Sequence, residues 1–189
     1  MVGAEYLWKA VWILRRRPRS WTSVDWFDDC ARSCFIGRRT KKHGAQCLGR
    51  SRGGFSTKIH LAVDALGNAL RFVLTGGEVS DHRQASNLIN GFVFDYLIAD
   101  KGYDSEAFVE SVRLAGAKTV IPSRLYPGRS LRKYDRHLYR ERHLVECFIG
   151  KIKHYRRIFT RFEKLSKNYL SFIHLVSSLL WLRWNVNRT

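Results

Sequence analysis

The stretch "YRERHLVECFIGKIK", Tyr139 to Lys153, decides how this chain is read. It is short, amphipathic and rich in cations, and it keeps one internal glutamate, Glu146. On a helix at about 100° per residue, Tyr139, Arg142, Glu146 and Lys153 fall within a stripe roughly 60° wide, while Leu144, Val145, Phe148, Ile149 and Ile152 spread over the flank beside it. The spacing predicts one helix with Glu146 at the edge of its packed face, among cations. Two readings of the stripe are open. In one, Glu146 pairs with Arg142 one turn earlier on a solvated surface, worth about 0.2 to 0.5 kcal/mol. In the other, Glu146 is a metal-binding carboxylate beside phosphate-gripping cations and a stacking ring.

The rest of the chain supplies the context. Its 189 residues and their aliphatic and aromatic content suit a globular domain with a sizeable core. A formal charge of +18, from 34 Lys and Arg against 16 Asp and Glu, exceeds what solubility needs and draws polyanions, nucleic acid first among them. The excess is concentrated: Ile121 to Leu165 holds 13 Lys or Arg and only 4 acids. Tyr126, Tyr134, Tyr139, Phe148, Tyr155 and Phe162 are interleaved with these cations. That mixture suits phosphate contacts combined with ring stacking, or else a solvated basic surface.

Four cysteines, Cys30, Cys34, Cys47 and Cys147, form no dense disulfide framework, and reduced thiols in a cytoplasm are the simpler expectation. Cys30, Cys34, His43 and Cys47 make a C-x3-C-x8-H-x3-C series that could bind zinc, although the spacing matches no familiar finger. The amino-terminal "MVGAEYLWKAVWILRRRPRS" has its cations after the apolar stretch and does not read as a secretory signal. The apolar "YLSFIHLVSSLLWL", Tyr169 to Leu182, is shorter than the ~20 residues a membrane span needs. It carries His174 and three serines and reads as a buried carboxy-terminal helix.

From Ser56 onward the punctuation is orderly. "STKIHLAV" alternates, "DALGN" is a turn and "ALRFVLTGG" is a second strand, which together predict a hairpin. Asp81 stands where an N-cap would open the helix "HRQASNLING". An apolar run then ends at Asp100, a tight turn passes through Gly102, and Asp104 is placed to cap a further helix. "KTVIPSR" is a short strand, and a basic loop with Pro127 and Gly128 leads into the opening stretch. The order hairpin, helix, strand, helix, strand, helix predicts a mixed α/β fold with helices covering a central sheet. Asp100 is either a turn residue or, at the carboxyl end of a strand where α/β sheets carry chemistry, one of the oxygen ligands that Mg2+ prefers. Residues 1–48 differ: they show no sustained period of 2 or 3.6, and they are set apart from a domain spanning 49–189.

"GRSRGGFSTKIHLAVDALGN", "TGGEVSDHRQA", "LIADKGYD" and "YRERHLVECFIGKIKHYRRIFTRFEK" closely resemble bacterial insertion-sequence transposases of the DDE type, the group related to the IS-five elements. The resemblance runs from about Gly49 to Trp181, and its most specific element is the signature Tyr, two residues, Arg, three residues, Glu, six residues, Lys, met by Tyr139, Arg142, Glu146 and Lys153. It implies a ribonuclease H-like fold in which two Asp and one Glu hold two divalent ions, Mg2+ or Mn2+, on the scissile phosphodiester. Asp100 would be the second acid and Glu146 the third. Tyr139, Arg142 and Lys153, with Lys151, Arg156 and Arg157 nearby, would engage double-stranded DNA at the element ends and target. The resemblance further implies a homo-oligomeric synaptic complex, no membrane, and a bacterial cytoplasmic location at the nucleoid.

The family carries the first acid on an opening apolar strand some twenty residues before "GRSRGG". Asp25, Asp28 and Asp29 lie at that distance, with Asp29 preferred, but "VDWFDDCARSC" is not such a strand. Residues before about Ala45 therefore read as if shifted in frame relative to the family. No separate helix-turn-helix module is apparent there. The sequence leaves two expectations: a metal-dependent DNA transposase, or a catalytically inactive DNA-binding remnant that lacks the first acid.

Overall fold

The hairpin forms where alternation demands it. Strands β3 (Gly54–Val63) and β4 (Ala69–Gly76) pair antiparallel from Thr57 opposite Gly76 to Val63 opposite Ala69. Their turn is held by the Asp64 carboxylate, which accepts from the Leu66 and Asn68 backbone N–H groups at 2.9 and 2.8 Å, with Gly67 at a φ of 80°. A side chain at position 67 would be strained there, since only glycine adopts such a φ freely. This geometry comes from a computed structural model that describes residues 7–14, 46–51, 54–124 and 131–186.

The sheet extends from the hairpin in both directions. A short strand β2 (Gly49–Ser51) pairs antiparallel with the first residues of β3. On the other side of the hairpin comes β1 (Leu7–Leu14), parallel to β3 and antiparallel to β5 (Tyr96–Ala99), and β5 runs parallel to β6 (Lys118–Val120). The order is β2-β3-β1-β5-β6 with β4 on β3. The sheet thus takes a strand from before Gly49 that sequence reading did not anticipate. "LWKAVWIL" is a short apolar run without turn residues beside it, and periodicity alone does not separate strand from helix in such a run.

Helices cover both faces, and side-chain alternation sorts the core between them. Ile59, Leu61, Val63, Phe72, Ile98 and Val120 pack with Val145, Phe148, Ile152, Tyr169 and Ile173 on one face. Ala62, Leu97, Ala99 and Ile121 pack with Ala85, Leu88, Phe108 and Val112 on the other. The first group belongs to α4 (His143–Lys153) and α6 (Ser166–Val186), with α5 (Arg156–Phe159) between them. The second belongs to α1 (His82–Ile89) and α2 (Glu106–Leu114). A five-residue helix, α3 (Arg136–Arg140), precedes α4 and is capped by Asp135, whose carboxylate accepts from the His137 and Leu138 N–H groups. The mixed α/β arrangement expected from the sequence is present.

Local expectations needed correction in four places. The single helix over Tyr139–Lys153 is two, because the Glu141, Arg142, Leu144 and Val145 N–H groups bond to carbonyls three residues back, a 3₁₀-type tightening that separates α3 from α4. Asp81 occupies the N-cap position of α1, but its side chain makes no cap hydrogen bond. The residue at the α2 N-cap is Ser105, not Asp104. The carboxy-terminal helix buries Tyr169, Ile173 and Val176, yet Leu175, Leu179 and Leu182 face outward, so it is buried along one side only. Among the described residues, no helix is long and apolar enough to cross a membrane.

Candidate active site

Alternation along β5 aims Asp100. Leu97 and Ala99 face α1 and α2 while Ile98 faces α4, so the next even position, Asp100, leaves the strand on the α4 side. Its backbone is still extended, at φ −66° and ψ 155°, and the 3₁₀ turn Lys101–Tyr103 then bends the chain away, with the Tyr103 N–H donating to the Asp100 carbonyl at 2.9 Å.

That turn is braced from below by groups that the sequence reading did not single out. Lys58 donates to the Val79 carbonyl at 2.6 Å and pairs with Asp81 at 3.1 Å, both side chains being nearly buried. A Cβ at position 102 would stand 2.8 Å from the Asp81 carboxylate, so a larger residue there would push that carboxylate out of place. Tyr103 is buried and its hydroxyl bonds His60 Nδ1 at 3.0 Å, while His60 Nε2 meets the Thr75 hydroxyl at 2.9 Å. Burial, and then the negative charges of Asp81 and Asp100, push the Tyr103 hydroxyl well above its ordinary pKa, so it stays a neutral hydrogen-bonding group. The available signal was His60 inside an alternating apolar strand, since a buried polar side chain requires partners.

Four residues of the sequence stripe and strand end meet above this turn. Arg142 contacts Glu146 Oε1 at 2.8 Å through one terminal nitrogen and Asp100 Oδ1 at 3.4 Å through the other. The Tyr139 hydroxyl donates to the same Asp100 oxygen at 3.4 Å, and the Arg142 guanidinium lies 5.6 Å from the centre of the Tyr139 ring. Tyr134 packs edge-on against Tyr139. Partial burial raises the Tyr139 pKa, opposed by the Arg142 charge and assisted by Asp100. The first reading of the stripe is present, since Glu146 pairs with Arg142 one turn away, and Arg142 also reaches a second acid from a different part of the chain.

The other cations stand apart from this group. Lys151 and Lys153 are exposed on the last turn of α4, with Lys153 about 10 Å along the helix axis from Glu146. Arg156 lies over the Phe162 ring, and Arg157 lies over Phe172 while pairing with Glu163 at 3.2 Å. Asp25, Asp28 and Asp29 fall outside the described residues, as do Cys30, Cys34 and His43 of the possible zinc series. Cys47 and Cys147 are free thiols. The strand beside Asp100, β1, contains no acid and is followed by Arg15.

The donor set suits a hard divalent cation. Asp100 and Glu146 offer oxygen only, both are open to solvent, and they lie close enough for one cationic side chain to bridge them. Among the described residues no group of three His, Cys, Asp or Glu side chains converges as a metal cage. Two carboxylates supplemented by water and phosphate are the arrangement Mg2+ ordinarily takes.

Comparison with known proteins agrees with the motifs. The model of the "Transposase DDE domain" family matches residues 21–181, a span that includes Asp25, Asp28 and Asp29 as well as Asp100 and Glu146. The match begins upstream of the resemblance read from Gly49. A Brucella ovis protein named "Putative transposase for insertion sequence element IS6501" is 41% identical over 133 residues, covering 68% of this chain and 99% of that protein. A Burkholderia cepacia protein named "Putative transposase for insertion sequence element IS402" is 32% identical over 160 residues, covering 78% of this chain and 71% of that protein. No solved structure matches significantly.

Proposed function

This chain belongs to the transposase DDE domain family, and on that premise we propose that Asp100 and Glu146 are acids of the centre with which it cuts and joins DNA. It is a DNA transposase of a bacterial insertion sequence, and the family's chemistry depends on divalent metal. One observation carries the site assignment: a single guanidinium bridges an acid at the end of β5 and an acid on α4. Exposed ion pairs contribute little to stability, so two open carboxylates gathered from distant elements around one cation point to a role other than holding the fold.

In this reading Asp100 and Glu146 would hold Mg2+ or Mn2+, two ions when the first acid joins them, with Asp29 the preferred candidate. Bound there, divalent metal would lower the pKa of an attacking water or 3′ hydroxyl and stabilise the leaving oxygen. The chain's own residues do the rest. Tyr139 and Arg142 orient the Asp100 carboxylate. The Lys58–Asp81 pair and the Tyr103–His60–Thr75 chain keep the turn beneath it from shifting. Lys151, Lys153, Arg156 and Arg157 add phosphate-binding charge. The mixed sheet with helices on both faces and one acid, Asp100, at a strand end supports a ribonuclease H-like architecture. Joining two DNA ends calls for a homo-oligomer, acting at the nucleoid.

Glu146→Gln tests the assignment, because it preserves size and hydrogen bonding and removes charge. With full-length protein and a duplex bearing the element ends, Mg2+-dependent cleavage falls by at least about a hundredfold, while DNA affinity stays level or rises slightly. Cleavage by the variant as fast as by a parent that cleaves would remove Glu146 from the centre. A second reading, a DNA-binding remnant without catalysis, is favoured by the acid-free strand β1 beside Asp100. In that case neither protein cleaves and both bind DNA alike.

A further inference from the structure

Arg142 stands where a metal ion would be expected to go. We infer that its guanidinium is an internal substitute for the divalent cation, holding Asp100 and Glu146 together in the metal-free chain and leaving them when DNA phosphate offers a better partner. The inference rests on the reading of Asp100 and Glu146 as metal acids, and it adds a coupling: metal binds tightly only when DNA is bound as well.

Three features support it. The guanidinium spends both terminal nitrogens on the two acids, one on each, so it satisfies the pair much as a bridging cation does. Neither contact is enclosed, since the side chains of Asp100, Glu146 and Arg142 remain 37%, 60% and 35% exposed, and the 3.4 Å contact to Asp100 is longer than the roughly 2.7–2.9 Å of a strong charge-assisted bond. The neighbouring acids have cations of their own: Asp81 has Lys58 and Asp104 has Arg132, whereas Asp100 and Glu146 share Arg142.

Electrostatics then sets up a competition. Divalent metal binds carboxylate oxygen at about 2.0–2.1 Å, and a guanidinium bridging the same oxygens would be repelled by it. Arginine has an alternative partner on DNA, because its planar fork binds phosphate in bidentate fashion. Exposed Arg136, Arg140, Lys151 and Lys153 lie on the same two helices and would bring the phosphate backbone close. Metal and DNA would therefore each ease the other's binding, and linkage makes the two effects equal. The consequence for function is that the chain carries an acid pair half neutralised by its own arginine until it is seated on DNA.

The test is Mn2+ binding to the full-length protein, followed by electron paramagnetic resonance, with and without a short duplex whose own Mn2+ uptake is subtracted. Without DNA, Arg142→Gln is expected to bind Mn2+ about 5- to 50-fold more tightly than the parent, within the usual range of coupling between sites. Duplex is expected to tighten Mn2+ binding to the parent and to change the Arg142→Gln affinity much less. Arg142→Lys keeps the charge but offers one nitrogen in place of a two-nitrogen fork, so it should fall between the two; it also supplies the comparison if the glutamine variant folds poorly by circular dichroism. Glu146→Gln separates the two levels of the argument. If Glu146→Gln loses Mn2+ while neither Arg142 variant gains it, the substitution by Arg142 is wrong and the metal reading stands. If Glu146→Gln binds Mn2+ like the parent, both are wrong.

Discussion

Asp100 and Asp104 flank the same 3₁₀ turn and are held in opposite ways. The Asp104 side chain is 0% exposed, accepts from the Arg124 N–H at 2.8 Å and forms an ion pair with Arg132. Asp100 is 37% exposed and touches its cation and its tyrosine only at 3.4 Å. Asp81, nearly buried against Lys58, behaves like Asp104. The difference shows how one turn can serve two purposes. Enclosed carboxylates with a dedicated cation lock the backbone, because breaking such a pair strands a charge away from water. An open carboxylate on a shared cation is left able to change partners.

The comparison fails most visibly if the enclosed pairs prove dispensable. Asp104→Ala strands Arg132 and removes the acceptor for the Arg124 N–H, so denaturant unfolding should report a loss of about 3–5 kcal/mol. A loss below about 1 kcal/mol, the range of exposed pairs, would place Asp104 with Asp100 instead. Asp81→Asn keeps the shape beside Gly102 and leaves Lys58 less well neutralised; about 1–3 kcal/mol should be lost by the same measurement.

Smaller effects sharpen the other side. Glu146→Gln removes one partner of an exposed pair and should change stability by no more than about 0.5 kcal/mol, even though cleavage is lost. Stability and activity thus separate at Glu146 and fall together at Asp104. The smallest effect is expected at Lys153: its replacement by alanine should reduce the slope of log affinity for DNA against log salt by about one unit, if it meets one phosphate, with unfolding unchanged. An unaltered slope would take Lys153 off the DNA surface.

Much of this arrangement was legible from residues close together in the chain. The hairpin was written in the alternation of "STKIHLAV" and in the side-chain chemistry of Asp64, both local. The strand leading to Asp100 was readable as a short apolar run, whereas the stripe of Tyr139, Arg142 and Glu146 was read on one helix and is carried by two. Capping was less so. Asp81 and Asp104 sit at or next to helix starts, where the local rule assigns them to backbone N–H groups, but each found a distant cation that brings more than a cap would. β1 was invisible for a related reason: its place in the sheet depends on β3 and β5 offering free edges, and nothing within Leu7–Leu14 announces that. The buried chain His60–Tyr103–Thr75 likewise joins residues far apart in sequence.

The amino-acid sequence alone determined the positive charge that draws polyanions, the hairpin and the amphipathic stripe around Glu146, because composition and periodicity act over short distances along the chain, and its motifs carried the resemblance to the family. Tertiary structure alone decided that Asp100 faces α4, that one arginine serves both acids, and that their neighbours are sealed with separate cations. Those outcomes follow from which strands pair and which faces are covered, a choice made by burial over the whole sheet.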